Sequence, residues 1–219
     1  MLTSRPFHSG RKGCITVVAD KNLELARQVT RGECRLSDDA FAVVADPEID
    51  IVVELIGGYG VAKELVLKAI ENGKHVVTAN KALLAVHGNE IFAAAQKKGV
   101  MVAFEAAVAG GIPIIKALRE GLSANRIQWL AGIINGTTNF ILSEMRDKGL
   151  PFADVLKEAQ ALGYAEADPT FDIEGVDAAH KATLMASIAF GVPVQFDKTY
   201  VEGITRLEAA DIKYAEQLG

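Results

Sequence analysis

Residues 163–181 hold a dense group of side chains whose types could do chemistry. The stretch reads GYAEADPTFDIEGVDAAHK and sets five carboxylates within twelve positions before it closes on Lys181; they are Glu166, Asp168, Asp172, Glu174 and Asp177. If a helix begins near Gly175, Asp177 and Lys181 lie four residues apart on one face. An ordinary surface ion pair is the alternative. The next residues, ATLMASIAFGV, are mostly apolar and must be buried, which favours a functional pair.

Two further charged side chains stand in unusual places. Lys81 follows a predicted strand at its carboxyl end, where parallel sheets place ligands, inside the small and apolar stretch TANKALLA. An exposed lysine is the alternative. Glu105 is expected to end a buried strand, where a carboxylate needs a partner. The small residues after it let backbone carbonyls converge, so the segment suits a hard cation, with a buried hydrogen bond or salt bridge as the alternative.

The first half of the chain must position these groups through alternating strands and helices. Apolar runs predict strands at 14–20, 49–58, 75–80 and 100–108. Helical patterns lie between them at 22–30, 61–72 and 90–98, and Asp38 or Asp39 can cap a short helix that runs through Val44. This alternation predicts an α/β fold with a parallel, Rossmann-like sheet, and a dinucleotide-binding domain over residues 1–110.

The second half, residues 111–219, has a different pattern. Segments 112–122, 137–149, 151–163, 176–191 and 211–219 are helical, while 126–135 and 200–206 alternate like strands. NGTTN (135–139) predicts a turn with a threonine cap. We expect an α+β domain for substrate binding, catalysis and dimerisation, built on an antiparallel sheet and incomplete at its carboxyl end. An exposed edge of that sheet could pair across a homodimer.

The glycine-rich loop of dinucleotide-binding folds has no match in this sequence. SGRKG (9–13) follows no strand, and GGYG (57–60) follows one but is not G-x-G-x-x-G. Only about 13 residues precede the strand at Cys14, fewer than a βα unit needs, so the first strand and its loop are expected to be missing. One cofactor feature remains: Asp20 could bind ribose hydroxyls and Lys21 a 2′-phosphate. A helix cap followed by a solvated lysine is the alternative.

Composition and charge exclude several classes of function. The net charge of −5, without a face rich in lysine and arginine, argues against a nucleic-acid partner. No apolar run reaches the ~18 residues that cross a bilayer, so no membrane partner is expected. Cys14 and Cys34 are the only cysteines, which favours a reducing compartment and a cytoplasmic location. The basic residues 1–14 lack the apolar core of a targeting peptide, so the chain is expected to begin inside a fold.

Several motifs, in their order and spacing, carry a family resemblance. They are ELIGG (54–58), VVTANKALLA (76–85), FEAAVAGGIPIIKALREGL (104–122), GIINGTTNFIL (132–142) and the stretch 163–181. Over residues 14–219 the chain closely resembles homoserine dehydrogenase, truncated at both ends. The resemblance implies interconversion of L-homoserine and L-aspartate 4-semialdehyde with NADP or NAD, in threonine, methionine and isoleucine biosynthesis. A non-catalytic fragment that binds substrate, cation or a partner chain is the alternative.

The resemblance also implies roles for individual residues. Lys181 matches the proton donor and acceptor of the family, with Lys81 as the nearby cation and Asp177 beside it. A lysine serves as base only if it loses its proton near neutral pH, which desolvation and a second cation favour. The implied substrate ligands are Glu166, Asp172, Asp177 and Lys81; the cofactor ligands are Asp20, Lys21, Gly57 and Lys81; and the sodium ligands are Glu105, Val108, Gly110 and Ile112.

A third activity is disfavoured by the cysteines. Aspartate-semialdehyde dehydrogenase would need a thiolate nucleophile with a histidine nearby. Cys14 lies on a predicted strand and Cys34 in a connection between helices, and neither accompanies a matching histidine motif.

Overall fold

The structure, a computed structural model, describes residues 14–219 and divides into two compact units. The sheet unit contains residues 14–54, Gly60–Val77 and Ile91–Ala103, and the helical unit contains Leu55–Tyr59, Thr78–Glu90 and Phe104–Gly219. Residues 1–13, which include SGRKG (9–13) and nearly all of the basic segment 1–14, lie outside the described part. The predicted domain boundary at residue 110 stays a prediction.

Five short strands form the parallel sheets. They are β1 (Val17–Ala19), β2 (Arg35–Ser37), β3 (Ile51–Glu54), β4 (His75–Thr78) and β5 (Val102–Ala103). β1 pairs with β2 in parallel, and a second sheet has the order β3-β4-β5, with β4 and β5 parallel. In a doubly wound sheet of order 3-2-1-4-5-6, strand 1 lies between strands 2 and 4. The parallel pairing of these strands and their alternation with helices confirm the predicted α/β class and the Rossmann-like sheet.

Local signals begin and end the helices around these strands. Helix α1 (Leu23–Thr30) is capped by Asn22, and α2 (Ala40–Ala45) by Asp39, which accepts two backbone N–H groups. Helix α3 (Gly60–Glu71) buries one apolar face and ends before Gly73, which adopts φ +77°. Helix α4 (Lys81–Lys98) begins at Lys81, because the Asn80 side chain accepts the Leu83 N–H at 3.0 Å.

The helical unit packs its remaining helices around a small apolar core. They are α5 (Ile114–Lys116, continued by a wider turn over Ala117–Gly121), α6 (Gly136–Lys148), α7 (Phe152–Ala161), α8 (Thr170–Ile173), α9 (Val176–Phe190) and α10 (Ala209–Leu218). Short 3-10 turns cover Glu105–Ala107 and Phe196–Lys198. Buried Ile141 and Met145 of α6 pack with Val155 and Ala159 of α7. Within residues 14–219, no helix is long and apolar enough to cross a membrane.

Two predicted strands of the second half are wrong. Residues 126–135 and 200–206 are irregular, and from residue 104 onwards the described chain contains no strand, so the predicted antiparallel sheet is not formed by these residues. Alternation reports only that one side of a segment is apolar, whereas a strand requires a neighbouring backbone to bond with. In this structure Trp129 and Ile133 are 76% and 81% exposed. Their alternation therefore does not mark a buried face.

Candidate active site

Two glycines position the start of α9. Gly175 precedes the helix with φ +81°, and a Cβ there would lie 2.7 Å from the backbone oxygen of Glu202. A Cβ on Gly203 would lie 2.7 Å from the oxygen of Ile173. The backbone therefore approaches closely enough for the Ile204 N–H to donate to Ile173 O at 2.8 Å. Residues 200–206, predicted as a strand, instead pack against the turn between Ile173 and Gly175 that precedes α9.

The carboxylate of Asp177 binds two lysines. Lys81 Nζ lies 3.0 Å from Asp177 Oδ1, and Lys181 Nζ lies 2.6 Å from Oδ2. Asp177 is 6% exposed, so the carboxylate depends on these partners rather than on water. Lys181 also donates to the backbone oxygen of Ile134 at 2.8 Å. The structure thus brings together the three residues predicted to be catalytic; their roles stay predictions.

Hydrogen bonding keeps Asp177 ionised. Burial by itself would raise the pKa of this carboxyl group, but hydrogen bonds from Lys181, Asn135 and Lys81 outweigh burial and lower the pKa below its usual value. Asp177 thus places one negative charge between two lysine side chains, and Asn135 joins it to a second carboxylate, Asp172.

Asn135 was not singled out from the sequence. Its amide nitrogen donates to Asp172 Oδ1 at 2.7 Å and to Asp177 Oδ2 at 2.8 Å, and its oxygen accepts the Thr138 N–H at 2.8 Å. Asn135 therefore caps α6. The predicted threonine cap is wrong, because the side-chain oxygen of Asn135, and not a threonine hydroxyl, accepts the Thr138 N–H. An asparagine directly before a helical pattern was the signal that could have found it.

Two clefts meet at this group of residues. The first has a volume of about 610 Å³ and is walled largely by small residues, with Lys81 and Lys181 among its lining. The second, about 520 Å³, is lined by Asp172, Asp177 and Lys181 together with Thr137 and Tyr164. Both volumes lie in the range of ligand pockets. Asn135, Gly136 and Lys181 line both clefts, so Lys181 can contact molecules bound in either.

Glu166 stands apart from the other predicted substrate ligands. Asp172 is partly buried and bonded to Asn135, whereas Glu166 is exposed and lines neither cleft. The backbone oxygen of Glu166 accepts the Gln160 side-chain amide at 3.1 Å. Its role as a substrate ligand stays a prediction.

The predicted cofactor residues make local contacts. Asp20 Oδ1 accepts the Asn22 N–H at 2.7 Å, and Lys21 Nζ donates to Asp38 O at 3.0 Å. The alternative of a helix cap at Asp20 is wrong, because Asn22 caps α1. Gly57, in the helical unit, adopts φ +82°, and a Cβ there would meet no atom within 4 Å. The space over Gly57 is therefore open to a bound group, while Asp20 and Lys21 retain exposed side chains.

The predicted sodium ligands lie in a turn rather than at a strand end. β5 ends at Ala103, so the expectation that Glu105 ends a strand is wrong; the Ala107 N–H instead donates to Phe104 O at 3.0 Å and turns the chain. The Glu105 oxygens accept the N–H groups of Ile115 and Lys116 at 2.8 and 2.9 Å. Within the described residues, no three His, Cys, Asp or Glu side chains form a metal-binding group.

His180 is a second residue that sequence reasoning missed. The ring is fully buried, neither nitrogen has a hydrogen-bond partner, and the ring centroid lies 4.5 Å from that of Phe196 and 6.0 Å from that of Phe171. Burial lowers the pKa of His180, the charge of Lys81 lowers it further, and Asp177 opposes both. The imidazole is therefore neutral at neutral pH and packs with Phe171 and Phe196, and His180 lies on the helix that also carries Asp177 and Lys181.

Models of known protein families match both parts of the chain. The model described as homoserine dehydrogenase, NAD binding domain, matches residues 10–105, and the model described as homoserine dehydrogenase matches residues 113–219. The chain belongs to the homoserine dehydrogenase family. The resemblance inferred from the sequence motifs is confirmed.

Individual homoserine dehydrogenases agree with this assignment. The chain is 70% identical over 209 residues to one from Pseudomonas aeruginosa, covering 92% of this chain and 48% of that protein. It matches a crystal structure from Thiobacillus denitrificans with TM-score 0.92 at 69% identity, over 96% of this chain and 49% of the other. A hyperthermophilic archaeal homoserine dehydrogenase in complex with NADPH matches with TM-score 0.72 at 28% identity, over 87% and 61%. The chain spans about half the length of the curated relatives it matches.

Proposed function

We propose that the chain carries the substrate-holding and proton-transfer machinery of an oxidoreductase that interconverts L-homoserine and L-aspartate 4-semialdehyde with a nicotinamide cofactor. One observation carries the proposal: the buried Asp177 carboxylate binds Lys81 and Lys181 together where two clefts meet. Membership of the homoserine dehydrogenase family supports the choice of substrate.

The second cleft suits an amino acid. Its carboxylates, Asp172 and Asp177, attract an ammonium group, and Glu166 is proposed as a further acidic ligand. Lys81, paired to Asp177 but still partly exposed, can bind the substrate carboxylate or polarise its carbonyl oxygen. The γ-hydroxyl of homoserine would then reach Lys181, which lines both clefts.

The geometry at Lys181 favours proton transfer. A neutral lysine amine has two N–H groups and one lone pair, and Asp177 Oδ2 and Ile134 O accept two hydrogen bonds from this nitrogen. Both N–H groups would thus be used, and the lone pair left for the proton of the substrate hydroxyl. A bound nicotinamide supplies the hydride acceptor for the oxidation and the hydride donor for the reverse reaction. In that reverse direction, protonated Lys181 donates its proton to the carbonyl oxygen of the semialdehyde.

The first cleft suits the nicotinamide. Its walls include Ala79, Ala106, Ala109 and Gly110, which leave room for a planar ring beside Lys81. NADP or NAD is proposed as the cofactor, with Asp20, Lys21, Gly57 and Lys81 as its ligands. A relative solved with NADPH and the match to a family NAD-binding domain support the cofactor class.

A sodium ion is proposed as a second ligand, held by Glu105 and the backbone oxygens of Val108, Gly110 and Ile112. The donor set fits a hard cation, because it consists of oxygen atoms only. Ala109 at φ +49° and Gly111 at φ +84° alternate with the three carbonyl residues, so the backbone bends sharply around this point. Glu105 is anchored by two N–H groups, and a carboxylate retains further lone pairs for a cation.

The remaining proposals concern the setting of the protein. Threonine, methionine and isoleucine biosynthesis is the proposed pathway, and a homodimer the proposed assembly, with residues 1–110 and 111–219 as the two domains. The proposed cytoplasmic location rests on two free cysteines, Cys14 and Cys34.

Turnover of L-homoserine tests the proposal. The purified full chain is incubated with L-homoserine and NADP⁺, then NAD⁺, and reduced nicotinamide is followed by absorbance. Lys181→Ala is expected to lower kcat on the order of 10²-fold or more, because it removes the acid–base group. Lys157→Ala, whose side chain is 78% exposed, is the matched control and should retain wild-type turnover. Turnover that survives in Lys181→Ala would contradict the role of Lys181.

The alternative is a chain that binds substrate, cation or a partner without redox turnover. The local contacts of Asp20 and Lys21, two of the proposed cofactor ligands, favour it. Titration calorimetry with L-homoserine separates the two functions. Binding without turnover with either cofactor would support the alternative, whereas turnover would overturn it.

A further inference from the structure

We propose that Asn135 is a positioning residue: its amide holds the carboxylates of Asp172 and Asp177 in the orientation in which Asp177 binds both Lys81 and Lys181. The assignment rests on the proposed function, because the orientation of Asp177 affects turnover only if Lys181 transfers a proton. In this role Asn135 acts on the two lysines through the side chain of Asp177.

Every hydrogen-bonding group of the Asn135 side chain is used. The two amide hydrogens serve Asp172 Oδ1 and Asp177 Oδ2, and the side-chain oxygen accepts both the N–H and the hydroxyl of Thr138, at 2.8 and 2.9 Å. An asparagine amide has two donors and two acceptor sites, so no capacity remains. The reverse orientation would turn the oxygen towards two carboxylates and is excluded by repulsion.

The position in the chain couples this amide to the reacting lysine. Asn135 is 7% exposed and follows Ile134, whose backbone oxygen accepts a hydrogen bond from Lys181. Asn135 and Lys181 bond to the same oxygen of Asp177. A shift of this one segment would therefore move both acceptors of the Lys181 nitrogen, and errors of about 1 Å in such a site can cost on the order of 10²-fold in rate.

The charge around Asn135 requires a donor that is neutral. Its charged and titratable neighbours are Asp172 on α8, Asp177, His180 and Lys181 on α9, and Lys81 on α4. An acid at position 135 would place a third carboxylate against the other two and would favour the protonated forms of both lysines. An amide instead bridges the two carboxylates without adding charge.

Capping and positioning can be separated by substitution. Asp and Ser cap helices about as well as Asn, so Asn135→Asp and Asn135→Ser retain the cap of α6 while both lose the two amide donors. Only Asn135→Asp adds a negative charge. Asn125→Asp, on an exposed residue of the same unit, controls for the added charge. A role limited to capping predicts wild-type behaviour in Asn135→Ser, which adds no charge, and in Asn125→Asp.

The test combines turnover with a readout independent of it. Turnover of L-homoserine with NADP⁺ or NAD⁺ is measured in the full chain, and trace acetylation by acetic anhydride, quantified for each lysine by mass spectrometry, follows the protonation of Lys81 and Lys181 against pH. We expect both Asn135 variants to lose on the order of 10²-fold in kcat. The labelling profiles of Lys81 and Lys181 should differ from wild type in Asn135→Ser, which adds no charge, and should not differ in Asn125→Asp.

Each result either supports or overturns the assignment. Wild-type kcat and labelling profiles in Asn135→Ser would overturn it and leave a capping role. If Asn135→Asp fails to fold by circular dichroism, Asn135→Ser decides the question through its kcat. If the unsubstituted chain does not oxidise L-homoserine, the proposed reaction fails. An unmoved labelling profile in Asn135→Ser would then overturn the positioning role, and a moved one would support it.

Discussion

Replacing Asp177 by asparagine is expected to lower the free energy of unfolding by about 3 kcal/mol at pH 7.5. The carboxylate accepts hydrogen bonds from Lys81, Lys181 and Asn135, and an asparagine would present an N–H to one of these donors. Removing one partner of a buried ion pair costs about 3–5 kcal/mol. The lysine side chains remain 34% and 17% exposed, so water can solvate part of each ammonium, which places the expected cost at the lower end.

Urea unfolding of the full chain, followed by circular dichroism, measures this loss by linear extrapolation. Asp147→Asn is the matched control: Asp147 forms an ion pair with Arg146 at 2.8 Å, but its side chain is 58% exposed, and we expect no resolvable change. Adding Lys81→Met to Asp177→Asn should restore part of the stability, because it removes one ammonium that has lost its counter-ion. An equal loss in Asp177→Asn and Asp147→Asn would refute the argument from burial.

Three further substitutions test other parts of the structure. The folded state depresses the pKa of His180, so the unfolded state binds more protons below about pH 6.5, and stability falls there by up to about 1.4 kcal/mol per pH unit. His180→Leu should reduce this loss, as measured by urea unfolding at pH 7.5 and 5.5. An unchanged pH dependence of stability would contradict the prediction. Gly203→Ala should lower the free energy of unfolding by about 1–3 kcal/mol, because its methyl group would overpack against the backbone of Ile173. Gly132→Ala, whose Cβ would have no contact nearer than 4.0 Å, should show no such loss. Equal melting temperatures in the two variants would contradict the close approach at Gly203. Asp39→Ala should cost about 1 kcal/mol by uncapping α2, and a larger loss in Asp38→Ala would assign the cap to Asp38 instead.

Much of the fold followed from the sequence because its signals are local. The signals that act over a few residues are glycines at helix ends, Asp39 at the start of α2, and the alternation of apolar runs with amphipathic segments. The structure confirms the helices that these signals predicted. The segments 126–135 and 200–206 failed as strands for the opposite reason: strand pairing depends on a distant neighbour that periodicity does not report.

The same distinction between local signals and distant contacts applies to the candidate site. The sequence by itself determined that Asp177 and Lys181 share a helix face, because their spacing equals about one helical turn. Only the tertiary structure decided that Lys81 binds the same carboxylate, that Asn135 joins Asp172 to Asp177, and that Glu166 lies outside both clefts. Contacts between distant parts of a chain depend on how whole elements pack, and spacing along the sequence carries no measure of that packing.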